Sequence, residues 1–413
     1  MRILIAGASG FIGSALAQAL TTAGHQVVRG VRRPTTDDEV AIDFTAPDPV
    51  AWKRALCGCD AAINAVGILR EHGGQTFSAL HAQGPQALFQ ACVAAGVQRI
   101  VQISAQGAAH GTTPFLASKR AADDFLRTLP VAWQIVRPAL VYGSNGDSAR
   151  LFRLLASLPL VPLPLGGKQR IHSVHIDDLC TTLLRLLDPA TQAGQCVDLN
   201  GGDALPLREL IATYRRGMGF PPAPQLAVPG WLMGAAARIG DHLPGSLLDT
   251  QSWRMLQGAD AFTGAPFPPH ALPPADFIRA ADAPALRREA LAGWRAPLLR
   301  VALAAVWLIT AWVSLFAYPL ADSLALLARS GLTGTPALVA LVGAALLDAV
   351  FGLATLFAPG RRLWLAQMAL VAGYSIVIAI CLPEFLIHPY GPISKNLPIL
   401  AVLILLYAEE ERP

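Results

Sequence analysis

Arg2-Ile3-Leu4-Ile5-Ala6-Gly7-Ala8-Ser9-Gly10-Phe11-Ile12-Gly13 is the stretch on which the fold turns. Residues 2–6 form a short, apolar, β-prone run suited to a central parallel strand, and 11–23 read as a helix. The glycines between them permit a tight turn and let a pyrophosphate approach the amides at the helix N-terminus, where the dipole favours negative charge. Gly7, Ser9, Gly10, Phe11, Ile12 and Gly13 are therefore read as a dinucleotide site. A purely structural turn uses the same residues; the position between first strand and first helix favours the cofactor. The lone Arg2 before an apolar run has the outline of a signal peptide. The glycines interrupt that run and no small-residue cleavage site is set off, so the N-terminus is expected to stay in the cytoplasm.

Outward from this turn, further short apolar runs at 26–32, 61–66, 99–104 and 131–137 alternate with helical segments such as 77–95 and 114–128. That order predicts an α/β fold, a Rossmann doubly wound parallel sheet. Residues 148–220 supply a smaller substrate subdomain, with 161–165, 196–200 and a helix over 207–218 covering the sheet edge, and a cleft between the parts is expected to hold substrate. Residues 259–284, rich in Pro, Ala and Gly and without periodicity, read as an irregular connector. The domains are placed at 1–225, 226–296 for the subdomain end and connector, and 297–413 for a membrane domain.

The second strand ends Val31-Arg32-Arg33-Pro34, where an NAD site often carries a carboxylate for the ribose 2′-hydroxyl. Two guanidinium groups suit a 2′-phosphate, which favours NADP over NAD; an exposed basic turn without a ligand is the alternative. Asp43 and Phe44 are candidates for the adenine edge and face. The net charge of +4 comes without a Lys/Arg block, so no nucleic acid partner is expected. The six cysteines show no C-x2-C pair and no histidines at ligand spacing, so no metal is expected, and reduced thiols favour a reducing compartment.

Several motifs follow in a fixed order: Asn64-Ala65-Val66-Gly67-Ile68-Leu69, Gln75-Thr76-Phe77, Ile103-Ser104-Ala105-Gln106-Gly107-Ala108, Ser118-Lys119-Arg120-Ala121, and Val136-Arg137-Pro138-Ala139-Leu140-Val141-Tyr142-Gly143. With His172-Ser173-Val174-His175-Ile176-Asp177-Asp178, they make roughly residues 1–250 resemble the atypical extended short-chain dehydrogenases related to the NADPH-binding accessory subunit of respiratory complex I. The resemblance implies cofactor contacts from Asn64, Ala65, Val66, Gly67, Ser104, Lys119 and Pro138. It assigns Ser104 a substrate-facing or cofactor-facing hydroxyl and Lys119 the nicotinamide ribose. Active members of the superfamily carry a tyrosine four residues before the lysine, one helical turn away on the same face, and its hydroxyl transfers the proton. Here Phe115 stands at that position. Ser104 and Lys119 remain as catalytic candidates, while His110 and Tyr142 read as a loop histidine and a packing tyrosine.

Residues 298–318, 337–357 and 363–382 are each long and apolar enough to span a bilayer. The run at 397–408 is short and must recruit 393–396 or tilt to make a fourth span over 393–408. Arg295, Arg300, Arg361 and Arg362 flank one side against Arg329 and Lys395 on the other. The charge bias predicts a multi-pass cytoplasmic (inner) membrane protein with its dinucleotide domain and both termini in the cytoplasm. This half resembles the DoxX-like family of four-helix membrane proteins through Pro383-Glu384-Phe385, His388-Pro389-Tyr390-Gly391-Pro392 and Lys395-Asn396-Leu397-Pro398. Quinone-linked redox subunits in that family make a quinone a candidate partner. Asp348 inside the second span is either a functional site or a protonated group bonded to Gln367, Tyr374 or Ser375; Glu384, His388 and Lys395 gather in the third loop.

Two functions follow. One is an NADPH-linked oxidoreductase acting on a membrane-associated or lipid-soluble substrate; the other is a catalytically silent NADPH-binding sensor or assembly module, with a membrane protein partner or as a homo-oligomer. A third places the activity in the membrane bundle, with Asp348 carrying protons or a small solute.

Overall fold

A computed structural model describes residues 1–243, 246, 248–258, 268, 270–389, 391 and 393–410. The chain divides into two compact units, Met1–Ala290 and Leu291–Pro413.

In the first unit the apolar runs become a seven-stranded sheet: β1 (Arg2–Ala6), β2 (Gln26–Val31), β3 (Glu39–Ala41), β4 (Ala61–Asn64), β5 (Arg99–Ile103), β6 (Ala132–Pro138) and β7 (Gln195–Leu199). All neighbours are parallel, in the order β7-β6-β5-β4-β1-β2-β3. The chain therefore reverses direction of travel between β1 and β4, where Ala6 pairs with Asn64, and this switch point is where open α/β sheets bind ligands. Helices on both faces account for the unbroken burial of β1, β4 and β5. One face packs Ile3, Ile5 and Ile63 against α1 (Phe11–Thr22), through Leu16 and Leu20, and α6 (Ile176–Leu187). The other packs Leu4 and Ile100 against α2 (Pro49–Leu56), α3 (Gly84–Ala94) and α4 (Pro114–Arg127). Each fully buried Ile or Leu contributes roughly 1.5–3 kcal/mol. Caps set the boundaries: Asp48 accepts from the amides of Val50 and Ala51 ahead of Pro49, and Thr113 accepts from Leu116 ahead of Pro114.

Residues 196–200 do not belong to the smaller subdomain: most of that run forms β7, which completes the sheet edge beside β6. The subdomain core instead joins α5 (Asp147–Ser157) to α7 (Leu207–Gly217), with the strand Val161–Pro164 paired to Gln225–Val228. Residues 259–267 and 269 of the expected connector lie outside the described residues. Its second half is no linker: Phe277 and Ile278 are buried in the subdomain core, Leu272 donates its amide to Asp178, and Arg279 pairs with Asp177 at 2.5 Å. Apolar anchors spaced without a period left no pattern to read. Two further helices, α8 (Gly230–Gly240) and α9 (Thr250–Gln257), fall within the segment 226–296 set down as subdomain end and connector.

Helix α10 (Ala283–Trp312) begins in the first unit; in the second it runs on into a π-turn over Val313–Ala317, followed by the short α11 (Leu320–Arg329), α12 (Gly334–Phe357), α13 (Arg361–Cys381) and α14 (Asn396–Glu409). Three of these helices are long and apolar enough to cross a membrane. Of the two ways to make the fourth span, recruitment of the preceding residues fails: α14 begins at Asn396, and 393–395 form a turn, leaving fourteen helical residues. Tyr390 and Pro392 of the loop motif lie outside the described residues. Leu303, Trp307, Trp364, Val371, Leu403 and Leu406 form the core of this unit. Gln367 accepts from the Trp307 indole at 3.0 Å and donates to Thr355 at 2.8 Å.

Phe44 tests the packing of the first unit. An added Cβ at Gly84 would lie 2.4 Å from Phe44 carbons, so Gly84→Ala is expected to cost about 1–3 kcal/mol through overpacking, read as a lower thermal midpoint of the full chain in detergent.

Candidate functional site

Gly7, with φ of +84°, leaves β1 in a conformation that disfavours a side chain, and its amide donates to the Gly30 carbonyl at 2.9 Å. The Gly10 amide then donates to the Gly7 carbonyl at 3.0 Å, closing the turn ahead of α1. A Cβ at Gly13 would lie 2.1 Å from the Gly7 carbonyl oxygen, and one at Gly7 would lie 3.0 Å from the Val66 nitrogen. The first turn of α1, with Phe11, Ile12 and Gly13, thus presents its leading amides beside the switch point with no side chain in the way. Ser9 is exposed at the turn, and the Phe11 ring lies under Gly143. The cradle fits a dinucleotide pyrophosphate.

Asn64 builds the opposite wall. Its side chain donates to Gln102 at 2.7 Å and accepts from the Val66 amide at 3.1 Å, while Ala65 donates to Ala6 at 2.9 Å. The loop Ala65-Val66-Gly67 is therefore fixed against the glycine turn. Lys119 supports it from below: its ammonium donates to the carbonyls of Val66 at 3.2 Å and Ile103 at 3.3 Å, and lies 3.3 Å from where a Cβ on Gly67 would stand. Two of its three protons are used in this way. Burial pushes the Lys119 ammonium down to about 8, partly offset by Asp123.

His81 carries no motif that marks it in the sequence. It sits in a π-turn, Ser78–Gln83, ahead of α3, and is fully buried. The Ile68 amide donates to Nε2 at 2.9 Å, so Nδ1 carries the ring proton and donates to Ser118 Oγ at 3.2 Å, and Ser118 donates to the Phe115 carbonyl at 2.7 Å. Burial, reinforced by the Lys119 charge, pushes the imidazole down to about 2, so it is neutral at ordinary pH. Phe115 packs edge-on against both Phe77 (5.9 Å) and His81 (5.3 Å).

Two expected positions are corrected. Phe44 is buried between α2 and α3, with its ring 5.7 Å from that of Trp52 and its body against Gly84, so it offers no face to an adenine. The Ser104 hydroxyl does not face a cleft. It donates to Asp123 at 2.9 Å, on the same carboxylate oxygen that Arg137 reaches at 3.1 and 3.2 Å. Of the other candidates, Asp43 is half-buried and accepts from the amide and hydroxyl of Thr45, which hold its carboxyl below the usual range. Arg32 and Arg33 are exposed past β2, and Pro138 ends β6, with its carbonyl accepting from Gln106 at 2.9 Å. Gln106 in turn donates to Asn200 at 2.6 Å. Tyr142 is buried and stacked on Phe277, and His110 is exposed.

Beside Phe115 opens a cleft of about 460 Å³, lined by Arg70, Glu71, Phe77, Thr112, Thr113, Pro114, Asp241, Asp249, Thr250, Gln251 and Arg254. Arg70 closes one side by donating to the carbonyls of Asp241, Leu243 (3.0 Å) and Ser246 (3.4 Å) after α8. In the second unit, Asp348 is buried beside a cavity of about 120 Å³ that also touches Trp307, Thr310, Tyr374 and Asn396. Its expected bonds to Gln367 and Ser375 do not form: Gln367 serves Trp307 and Thr355, Ser375 serves Val371 and Asn396, and one Asp348 oxygen has no partner among the described residues. Glu384 pairs with Arg329 at 2.5 Å.

The lowered Lys119 carries a pH consequence. Its folded-state value lies below that of a free lysine, so the buried charge opposes folding below about 8 and that penalty is relieved as pH rises above it. Nucleotide affinity that uses the ammonium is expected to move the other way, falling as pH rises through about 8, and to flatten in Lys119→Arg, as followed by dihydronicotinamide fluorescence titration.

Residues 7–155 match the NAD(P)H-binding family and residues 304–404 the DoxX-like family. A ceramide reductase of Caulobacter vibrioides is 28% identical over 189 residues, covering 44% of this chain and 59% of that relative, so the match spans little more than half its length. A 3-diazoavenalumate denitrifying reductase of Streptomyces is 27% identical, covering 56% of this chain and 88% of the relative. A 2-alkyl-3-oxoalkanoate reductase of Stenotrophomonas maltophilia is 26% identical, covering 54% and 77%. In fold, the chain is similar to a short-chain dehydrogenase/reductase superfamily protein of Agrobacterium tumefaciens solved with bound NAD, at 19% identity and a TM-score of 0.51, covering 71% of this chain and 99% of that one. The chain thus joins, in one polypeptide, an NAD(P)-binding Rossmann domain with reductase relatives to a DoxX-like domain whose helices are long and apolar enough to cross a membrane.

Proposed function

We propose that this protein is an NADPH-linked oxidoreductase acting on a membrane-associated or lipid-soluble substrate. The observation that carries the reading is the cleft of about 460 Å³ beside Phe115, in the same unit as a glycine turn shaped for a dinucleotide. The names of three reductase relatives support it, as does the union with a DoxX-like domain. Gly7, Ser9, Gly10, Phe11, Ile12 and Gly13 hold the pyrophosphate; Arg32 and Arg33 receive the 2′-phosphate; Asp43 takes the adenine edge; Ala65, Val66, Gly67 and Pro138 border the nicotinamide side. Lys119 turns its remaining proton to the ribose. A bound dihydronicotinamide would supply hydride to the substrate carbon; Phe115 has no proton to give, which leaves water in the cleft to protonate the substrate oxygen. The Arg295, Arg300, Arg361 and Arg362 bias favours a cytoplasmic dinucleotide unit, and a quinone is one candidate substrate.

Phe115, together with Ser104 engaged by Asp123, favours a second reading, a catalytically silent NADPH-binding sensor or assembly module. Titrating NADPH and NADH into the full chain in detergent, then adding carbonyl and quinone acceptors, separates the two. The oxidoreductase reading expects acceptor-dependent oxidation, lost in Gly13→Ala and raised about tenfold or more in Phe115→Tyr by a restored acid; tight binding without oxidation across the panel sinks it and leaves the silent module. Replacing Arg32 and Arg33 together by Ala is expected to weaken NADPH about tenfold or more and leave NADH unchanged. Equal loss for both nucleotides removes the 2′-phosphate assignment.

A further inference from the structure

Helix α8 is built inside out. Its small residues Gly230, Gly234, Ala237 and Gly240 recur every three or four positions and form the inner face. Cβ atoms at Gly230 and Gly234 would lie 3.8 and 3.9 Å from the Trp253 ring of α9, and one at Gly240 only 1.8 Å from the Leu248 carbonyl oxygen. The bulky apolar residues point the other way: Trp231 is 75% exposed, Ile239 63% and Leu232 45%, with Leu243, 53% exposed, in the bend just after the helix. Single exposed hydrophobics are ordinary, but a continuous arc along one helix marks an interaction surface. Leu165 extends it. It is the one non-glycine residue at positive φ among the described residues, at +51°, and its side chain, 45% exposed, lies 3.1 Å from the Cβ position of Gly230. A strained backbone that carries a leucine outward is a local cost that a bound partner offsets.

We propose that this face of α8, with Leu165, rests in the interfacial layer of the lipid bilayer. The chain is membrane-associated through its own apolar helices, so the dinucleotide unit is tethered to a bilayer. The exposed arc carries Arg238 and no carboxylate within α8; Asp241, just past the helix, is itself exposed, its carboxylate accepting from the amide and hydroxyl of Thr250 at 2.9 and 2.6 Å. Trp, Leu and Ile beside a cation are the composition of a helix lying in the bilayer interface. The docking stands without the reductase reading. If that reading holds, it adds a route, because Asp241 also lines the cleft, and a substrate leaving the bilayer beside α8 meets its mouth.

The test uses the full chain in vesicles of phosphatidylcholine and phosphatidylglycerol, with Cys57, Cys196 and Cys381 replaced and a single nitroxide placed through Ile239→Cys or, in a second protein, Leu243→Cys. A label at Thr22, exposed at the far end of α1 from the glycine turn, serves as reference. Collision with oxygen relative to a water-soluble nickel complex is expected to be several-fold higher at 239 and 243 than at 22. Equal, water-like values at all three positions would overturn the docking. So would shielding at 239 accompanied by spin–spin broadening that disappears on dilution with unlabelled protein, because that assigns the face to a second copy of the chain.

Discussion

The carbonyl oxygen of Gly7 occupies the space that a side chain at residue 13 would need, and much of the dinucleotide unit is arranged around that contact. It brings the exit of β1 against the first turn of α1 so closely that helix amides and strand end share one small volume at the sheet's switch point. The loop after β4 closes on Gly7 from the other side, held by Asn64. Lys119 then ties that loop to the end of β5, and the carboxylate of Asp123 gathers Ser104 and Arg137, joining β5, α4 and β6. Buried ionic groups of this kind seldom add net stability, because desolvation offsets their attraction. Their effect here is to fix the position of the upper edge of the sheet.

That edge explains why some residues of the site were legible in the sequence and others were not. The glycine turn and the strand runs follow from spacing alone, because parallel strands covered on both faces read as continuous apolar segments. Phe44 did not, since an apolar ring just past a strand looks the same whether it meets a ligand or a core; what sends it inward is Gly84, distant in sequence, whose missing side chain leaves room for it. Ser104 looked available because its partner, Asp123, lies nineteen residues on, within a helix whose visible feature was its Lys. His81 was hidden by its neighbours: in an otherwise helical, apolar run a histidine gives no sign that backbone amide, imidazole and hydroxyl form one chain. β7 was misplaced because an edge strand with every second residue exposed resembles surface structure in a subdomain.

Phe115 and His81 together back Phe77, one of the residues that line the cleft. Where a hydroxyl would stand there is a phenyl ring, and the imidazole behind it has both nitrogens engaged and no charge. The packing behind Phe77 is thus uncharged, while the cleft itself is lined mainly by polar and charged groups, Arg70, Glu71, Thr112, Thr113, Asp249 and Arg254 among them.

In the membrane-associated unit, a single amide does what a hydrophobic side chain cannot. Gln367 offers its oxygen to α10 and its nitrogen to α12, so one residue on α13 engages two neighbours with opposite polarity. Dispersion contacts between apolar helices change little when one helix turns by a few degrees, and lipid tails replace them at small cost. The amide is directional in both halves, so rotation of any of the three helices about its own axis disengages the Trp307 indole or the Thr355 hydroxyl in a medium with little water to take its place. The three helices therefore keep a common angular phase, like meshed gears held by one tooth.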